Sequence, residues 1–108
     1  MNAQGASGPQ EVVREFTICN ESGIHARPAA QIVEAANRFE SEVFLRKEED
    51  SFEATAKSIL SVLSIEGQPG SIIKVRTIGA DAEDAMVAMA GLFEGGFREE
   101  VQNGCDSE

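Results

Sequence analysis

Two hydrophobic periods alternate along this chain, and their order restricts the folds that it can adopt. Alternation of apolar and polar residues is typical of a half-buried strand, whereas apolar spacings of three and four are typical of an amphipathic helix. Strand patterns lie at residues 12–19, 42–47, 52–56 and 72–78, and helix patterns lie at 29–39, 58–65 and 81–93. The sequence therefore predicts the order strand, helix, strand, strand, helix, strand, helix.

This order, with polar residues at alternate strand positions, predicts an α+β fold. We expect a four-stranded antiparallel sheet with three helices packed on one face and the other face open to water. A chain of 108 residues can bury one hydrophobic core. Because both ends are polar, we expect the folded domain at residues 11–101, between a flexible N-terminal extension at 1–10 and a flexible acidic tail at 102–108.

The element boundaries carry residues that commonly begin or end helices. Asp81 and Ser58 each precede a helix pattern, and we expect both to act as N-caps. The glycine pair at 95 and 96 is expected to end the last helix. In the third strand pattern, Phe52 is predicted to share a face with the two alanines at 54 and 56.

Charge and cysteine placement exclude several classes of function. The chain has 9 Lys and Arg against 19 Asp and Glu, a formal net charge of −10, so nucleic-acid binding is not expected. No apolar run reaches the roughly 20 residues of a membrane span, and no secretory signal is visible, so we expect a soluble cytoplasmic protein without membrane insertion. We interpret Cys19 and Cys105 as thiols rather than as a disulfide or metal ligands.

The segment at residues 22–30, between the first strand and the first helix, carries the candidate chemistry. Gly23 allows a bend, and Pro28 fits a first helical turn because the N–H that it lacks would have no partner there. His25, the only histidine, then lies at the positive end of a helix. Arg27 adds a permanent charge with a planar set of donors suited to phosphate oxygens.

This grouping suits a phosphoryl group, although simpler roles are open. His25 alone could cap the helix or pack against the sheet, and Arg27 alone could be a solvated charge. Phosphoryl transfer requires mainly positioning and charge stabilisation. The chain has no phosphate-binding glycine loop, no recognisable pair of catalytic carboxylates and no Ser-His-Asp set. We therefore expect a phosphoryl carrier with a transient phosphohistidine, without cofactor or metal, rather than a self-contained enzyme.

The run from Gly23 to Ala30 resembles the phosphorylation site of HPr, the histidine-containing phosphocarrier of the bacterial phosphoenolpyruvate-dependent sugar phosphotransferase system. The resemblance extends over residues 11–97 and implies the HPr-like open-faced β-sandwich. It implies that His25 is the phosphoacceptor, through Nδ1, and that Arg27 contacts the phosphoryl group. The implied partners are enzyme I and the cytoplasmic domains of sugar-specific transporters, with the chain itself a monomer.

A second similarity covers residues 57–64, which resemble the segment around the regulatory serine of HPr proteins from Gram-positive and some other bacteria. It places Ser58 at the regulatory phosphorylation site and implies an HPr serine kinase/phosphorylase and a transcription regulator as further partners. Lys57, Leu60 and Leu63 are expected to contact partners, although a core role for either leucine is open. Glu66 departs from the family, in which a small residue is usual at this position.

Three functions are compatible with these motifs. The first is a general carrier between enzyme I and sugar transporters, which we favour. The second is a regulatory carrier, like the nitrogen-branch paralogue of HPr, whose phosphorylation state is read by a kinase or regulator. The third is a binding module in which modification of Ser58 controls docking on a transcription regulator and His25 is incidental.

Overall fold

The computed structural model describes residues 10–98, which form four strands, three α-helices and a short 3₁₀ turn at Gly96–Arg98. In chain order these are β1 (Gln10–Thr17), α1 (Ala26–Ala36), β2 (Glu42–Lys47), β3 (Glu53–Thr55), α2 (Ile59–Leu63), β4 (Ile72–Gly79) and α3 (Ala82–Glu94). The element order predicted from the hydrophobic periods is confirmed. No helix within residues 10–98 combines the length and apolar character required to cross a bilayer.

The strands form one antiparallel sheet in the order β1-β4-β2-β3. The interior strand β4 buries Ile73, Val75 and Thr77 on one face, as the period of two predicts. All three helices belong to the same core as that face, so the predicted α+β sandwich is confirmed. The opposite face of the sheet carries mostly charged side chains.

Aromatic side chains join β1 to the last helix. Phe16 stacks on Phe93 of α3 with ring centroids 5.3 Å apart. Phe93 also contacts Phe97 edge to face at 5.1 Å, and all three rings are buried. Such pairs are worth about 0.5–1.5 kcal/mol beyond the area that they bury. The end of α3 is thereby fixed to the sheet.

The first strand is shifted from its predicted position. It begins at Gln10 rather than at residue 12, because backbone pairing with Gly79 and Ile78 of β4 does not require apolar side chains. It ends at Thr17, since the next residue, Ile18, bonds to the loop before β4 instead of to the strand. The rest of the predicted extension at 1–9, the tail at 102–108 and Cys105 lie outside the described residues.

Two predictions about single side chains are wrong. Asp81 occupies the N-cap position of α3, but its side chain makes no capping hydrogen bond. Its carboxylate instead accepts hydrogen bonds from the backbone N–H groups of Glu40 and Ser41 and from the Ser41 hydroxyl. These bonds lower the pKa of Asp81 and fix the entry to β2. Phe52 does not join the buried face, because β3 begins only at Glu53, and its side chain is 53% exposed.

Candidate functional site

The segment that carries His25 is fixed by backbone hydrogen bonds to the turn that precedes β4. Ile18 N–H donates to Ser71 O at 2.8 Å, and Gly70 N–H donates to Ile18 O at 2.9 Å. Ile24 N–H donates to Gly67 O, also at 2.9 Å. The two ends of the segment 18–24 are therefore attached to one turn at residues 67–71.

Gly23 is required where this segment bends towards α1. Its φ of +70° lies in the left-handed region, and a Cβ atom there would overlap the carbonyl oxygen of Gly67. The buried side chain of Asn20 donates from Nδ2 to Gly23 O at 2.7 Å. The predicted bend at Gly23 is confirmed, and the two loops come close together here.

His25 is the N-cap residue of α1, with extended backbone angles of φ −120° and ψ −160°. Its carbonyl oxygen accepts the first helical hydrogen bond, from Ala29 N–H at 2.8 Å. Its imidazole makes no capping hydrogen bond, so the alternative of a capping side chain is wrong. The side chain is half-buried at the start of the helix.

The first turn of α1 provides a group of donors beside the imidazole. The N–H groups of Ala26 and Arg27 have no intrahelical partner, and Pro28, buried at the third position, has no N–H. The Arg27 side chain is exposed, and no hydrogen bond or ion pair joins its guanidinium to another residue within 10–98. With the helix dipole, these groups make the start of α1 a favourable place for an anion.

The second predicted segment forms the short helix α2. Ser58 is its N-cap, and Ser58 Oγ accepts a hydrogen bond from Ser61 N–H at 3.4 Å, which confirms the predicted cap. Leu60 is 76% exposed, so a core role for it is wrong, whereas Leu63 is partly buried against the core. The neighbouring Ile59, which is not among the predicted partner-binding residues, is 41% exposed and adds to this apolar surface.

Lys57 connects α2 to the end of α1. Its Nζ donates to Phe39 O at 3.0 Å, and Asn37 Nδ2 donates to Lys57 O at 3.5 Å. The ammonium group thus has an intramolecular partner, and Lys57 orders the segment that carries Ser58. Within residues 10–98 there is no cluster of three or more His, Cys, Asp and Glu side chains that could bind a metal ion.

Comparisons with known proteins show which proteins this chain is similar to. A family model described as "PTS HPr component phosphorylation site" matches residues 12–95. The chain is 39% identical to phosphocarrier protein HPr of Treponema pallidum over 82% of its length and 99% of that protein. It is equally identical to phosphocarrier protein NPr of Proteus mirabilis, over 81% and 96%. A crystal structure of HPr from Thermoanaerobacter tengcongensis superposes with a TM-score of 0.74 at 36% identity, covering 85% of this chain and 99% of that one.

Proposed function

This chain belongs to the HPr family of phosphocarriers, and from that premise we propose that His25 accepts a phosphoryl group from phosphorylated enzyme I. The phosphoryl group then passes to sugar-specific transporter components of the phosphotransferase system. The observation that carries this proposal is the position of His25 at the N-cap of α1 with an imidazole that is not used for capping.

In the proposed reaction, a ring nitrogen of His25 attacks the phosphorus atom carried by enzyme I. A nitrogen–phosphorus bond forms while the bond to the donor breaks, and the donor keeps the bonding electrons. Nδ1 is the attacking atom implied by the family. The guanidinium of Arg27 and the N–H groups at the start of α1 stabilise the charge on the equatorial oxygens. The same groups are available when the phosphoryl group passes to an acceptor.

The exposed part of α2 is proposed to contact these partners. Leu60 lies mostly exposed, and Leu63 is partly buried against the core. Lys57 orders the same segment through its bond to Phe39 O. Phosphorylation of Ser58 by a serine kinase would add about −1.5 to −2 charge units at this surface, weakening contact with an acidic partner and favouring one that presents arginines.

The proposal is tested by incubating the full chain with enzyme I, magnesium and radiolabelled phosphoenolpyruvate. We expect acid-labile, alkali-stable label on the wild type and none on His25→Ala. Lys74→Gln, a change on the opposite face of the sheet, is the control for a general loss of charge. Absence of label on the folded wild type, with a donor that labels another HPr, would contradict the proposal.

A regulatory carrier is the second candidate, favoured by the relative named NPr, whose identity to this chain equals that of the relative named HPr. In this role His25 is phosphorylated in the same way, but a kinase or regulator reads its phosphorylation state, and the phosphoryl group is not used for sugar uptake. The two functions separate at the second transfer. Normal labelling by an enzyme I, without onward transfer to any sugar-specific domain, would favour the regulatory role.

A further inference from the structure

A groove between α1 and the end of α3 lies apart from the turn that carries His25. Its volume is about 660 Å³, within the roughly 300–1,000 Å³ that is typical of small-molecule sites. Gln31 and Glu34 of α1 line one side together with Arg38, which follows the helix, and the α3 side contributes small residues such as Gly91 and Gly95. Small residues on one wall leave room for a ligand between the two helices.

Cationic side chains that form no hydrogen bond or ion pair within residues 10–98 are found at this groove. Of the 9 Lys and Arg side chains, most contact a carboxylate or a backbone carbonyl. These are Arg14, Arg46, Lys47, Lys57, Lys74 and Arg76. Within residues 10–98, the remaining three, Arg27, Arg38 and Arg98, have no hydrogen-bond or ion-pair partner. Arg27 belongs to the proposed phosphoryl site, and the other two line the groove.

Arg98 reaches the groove through an unusual backbone turn. Gly96, Phe97 and Arg98 all have positive φ, at 64°, 55° and 62°, a conformation that costs roughly 1–2 kcal/mol for each residue with a side chain. Burial of the Phe97 ring and a hydrogen bond from Gln31 Nε2 to Phe97 O at 3.3 Å maintain this turn. Strained backbone persists where surrounding contacts enforce it, and it is commonly found at ligand sites.

We propose that this groove binds a small molecule that bears a phosphate monoester and hydroxyl groups. Two arginines from distant parts of the chain, Arg38 and Arg98, can bind phosphate oxygens, for which the planar guanidinium is well suited. The carboxylate of Glu34 and the amide of Gln31 supply acceptors and donors for hydroxyl groups. The carboxylate of Glu34 repels a ligand that carries several negative charges. The lining therefore favours a polyol phosphate over a polyanion such as an acidic peptide.

The test is a titration of the unphosphorylated, ¹⁵N-labelled full chain with glucose 6-phosphate, followed by two-dimensional NMR. No phosphoryl donor is present, so the outcome is independent of the carrier function. We expect saturable shifts of the Gly91 and Gly95 amide signals. Arg38→Gln and Arg98→Gln should each weaken binding by roughly tenfold, the loss of one charge-assisted hydrogen bond.

A matched variant distinguishes binding in the groove from a general response to charge. Lys74→Gln removes the same charge from the opposite face of the sheet and should leave the affinity unchanged. Both groove arginines are exposed and have no partner within residues 10–98, so their variants are expected to fold, which their amide spectra will show. Shifts confined to Ala26 and Arg27, an equal response to glucose, or saturation by an oligoglutamate but not by glucose 6-phosphate would overturn the proposal.

Discussion

At the scale of single residues, the proposed site depends on His25 and Arg27 side chains that the start of α1 does not use for its own capping. The backbone of His25 starts α1, while its imidazole takes no part in the cap. Arg27 lies exposed on the first turn, where its removal leaves no buried group without a partner. The residues that hold the loop in place, Gly23 and Asn20, are distinct from those proposed to react. Chemistry and stability can therefore be altered separately here.

Replacing Arg27 by glutamine should slow phosphorylation of His25 without destabilising the fold. A hydrogen bond to a charged group is worth about 1.5–3 kcal/mol, so the rate of transfer from phosphorylated enzyme I should fall by roughly ten- to a hundredfold. Rapid-quench measurement of label on the chain gives this rate. Lys74→Gln is the matched control. An unchanged rate in Arg27→Gln would remove the arginine from the mechanism.

Replacing Glu66 by glycine should stabilise the chain. Glu66 has a φ of +57°, in the left-handed region that costs a residue with a side chain roughly 1–2 kcal/mol. Glycine removes that cost but adds entropy to the unfolded chain, so we expect a net gain of about 0.5 kcal/mol. The bond from Lys47 Nζ to Glu66 O involves only the backbone acceptor and is kept.

Urea unfolding measures this change in the free energy of unfolding. Glu48→Gly is the matched control, because Glu48 is an exposed turn residue outside the left-handed region and should lose stability on the same substitution. Equal destabilisation of both variants would show that the backbone at Glu66 is not strained.

At the scale of elements, hydrophobic period predicted the strands and helices because burial of one face decides which pattern is stable. The bounds of β2 agree with the predicted residues 42–47. Contacts between distant backbone segments are not encoded in such a pattern. The turn at 67–71 reaches the loop before α1 through carbonyl groups that every residue has, and Asp81 bonds to backbone 40 residues away instead of to its own helix. Sequence therefore indicated His25 and Arg27 but not the turn that positions them.

Gly23→Ala tests whether the turn at 67–71 positions the start of α1. The added Cβ meets the carbonyl oxygen of Gly67 and also suffers the left-handed conformation. Gly70→Ala is the control, because Gly70 has a φ of +90° but open space around the added Cβ. We expect a loss of about 1 kcal/mol for Gly70→Ala and roughly 2 kcal/mol more for Gly23→Ala, measured by urea unfolding. Equal losses would show that the two loops can separate without cost.

At the scale of the whole molecule, a net charge of −10 destabilises the compact state through repulsion between acidic side chains. Contacts between cations and carboxylates on the open face of the sheet offset part of this repulsion. Arg76 on β4 donates two hydrogen bonds to Glu53, at 2.9 and 2.7 Å, and one to Glu11 at 3.3 Å. Its guanidinium also lies 4.8 Å from the centroid of the Phe44 ring. One cation on β4 thus contacts side chains of the other three strands, β1, β2 and β3, across the face that the helices leave open.

Acid should weaken this connection before it affects the core. The Arg76 hydrogen bonds hold the pKa of Glu53 below its ordinary value of 4.5. A carboxyl group whose pKa is lower in the folded state contributes stability above its unfolded pKa and loses it as the pH falls through its folded pKa. The contribution of Glu53 is therefore present at pH 7 and declines below about pH 4.5. As the pH falls, the free energy of unfolding of Glu53→Gln should decline less than that of the wild type. Glu15→Gln, which removes a charge beside Lys74, should decline as much as the wild type. If both variants follow the wild-type pH dependence, the Arg76–Glu53 pair contributes nothing to acid sensitivity.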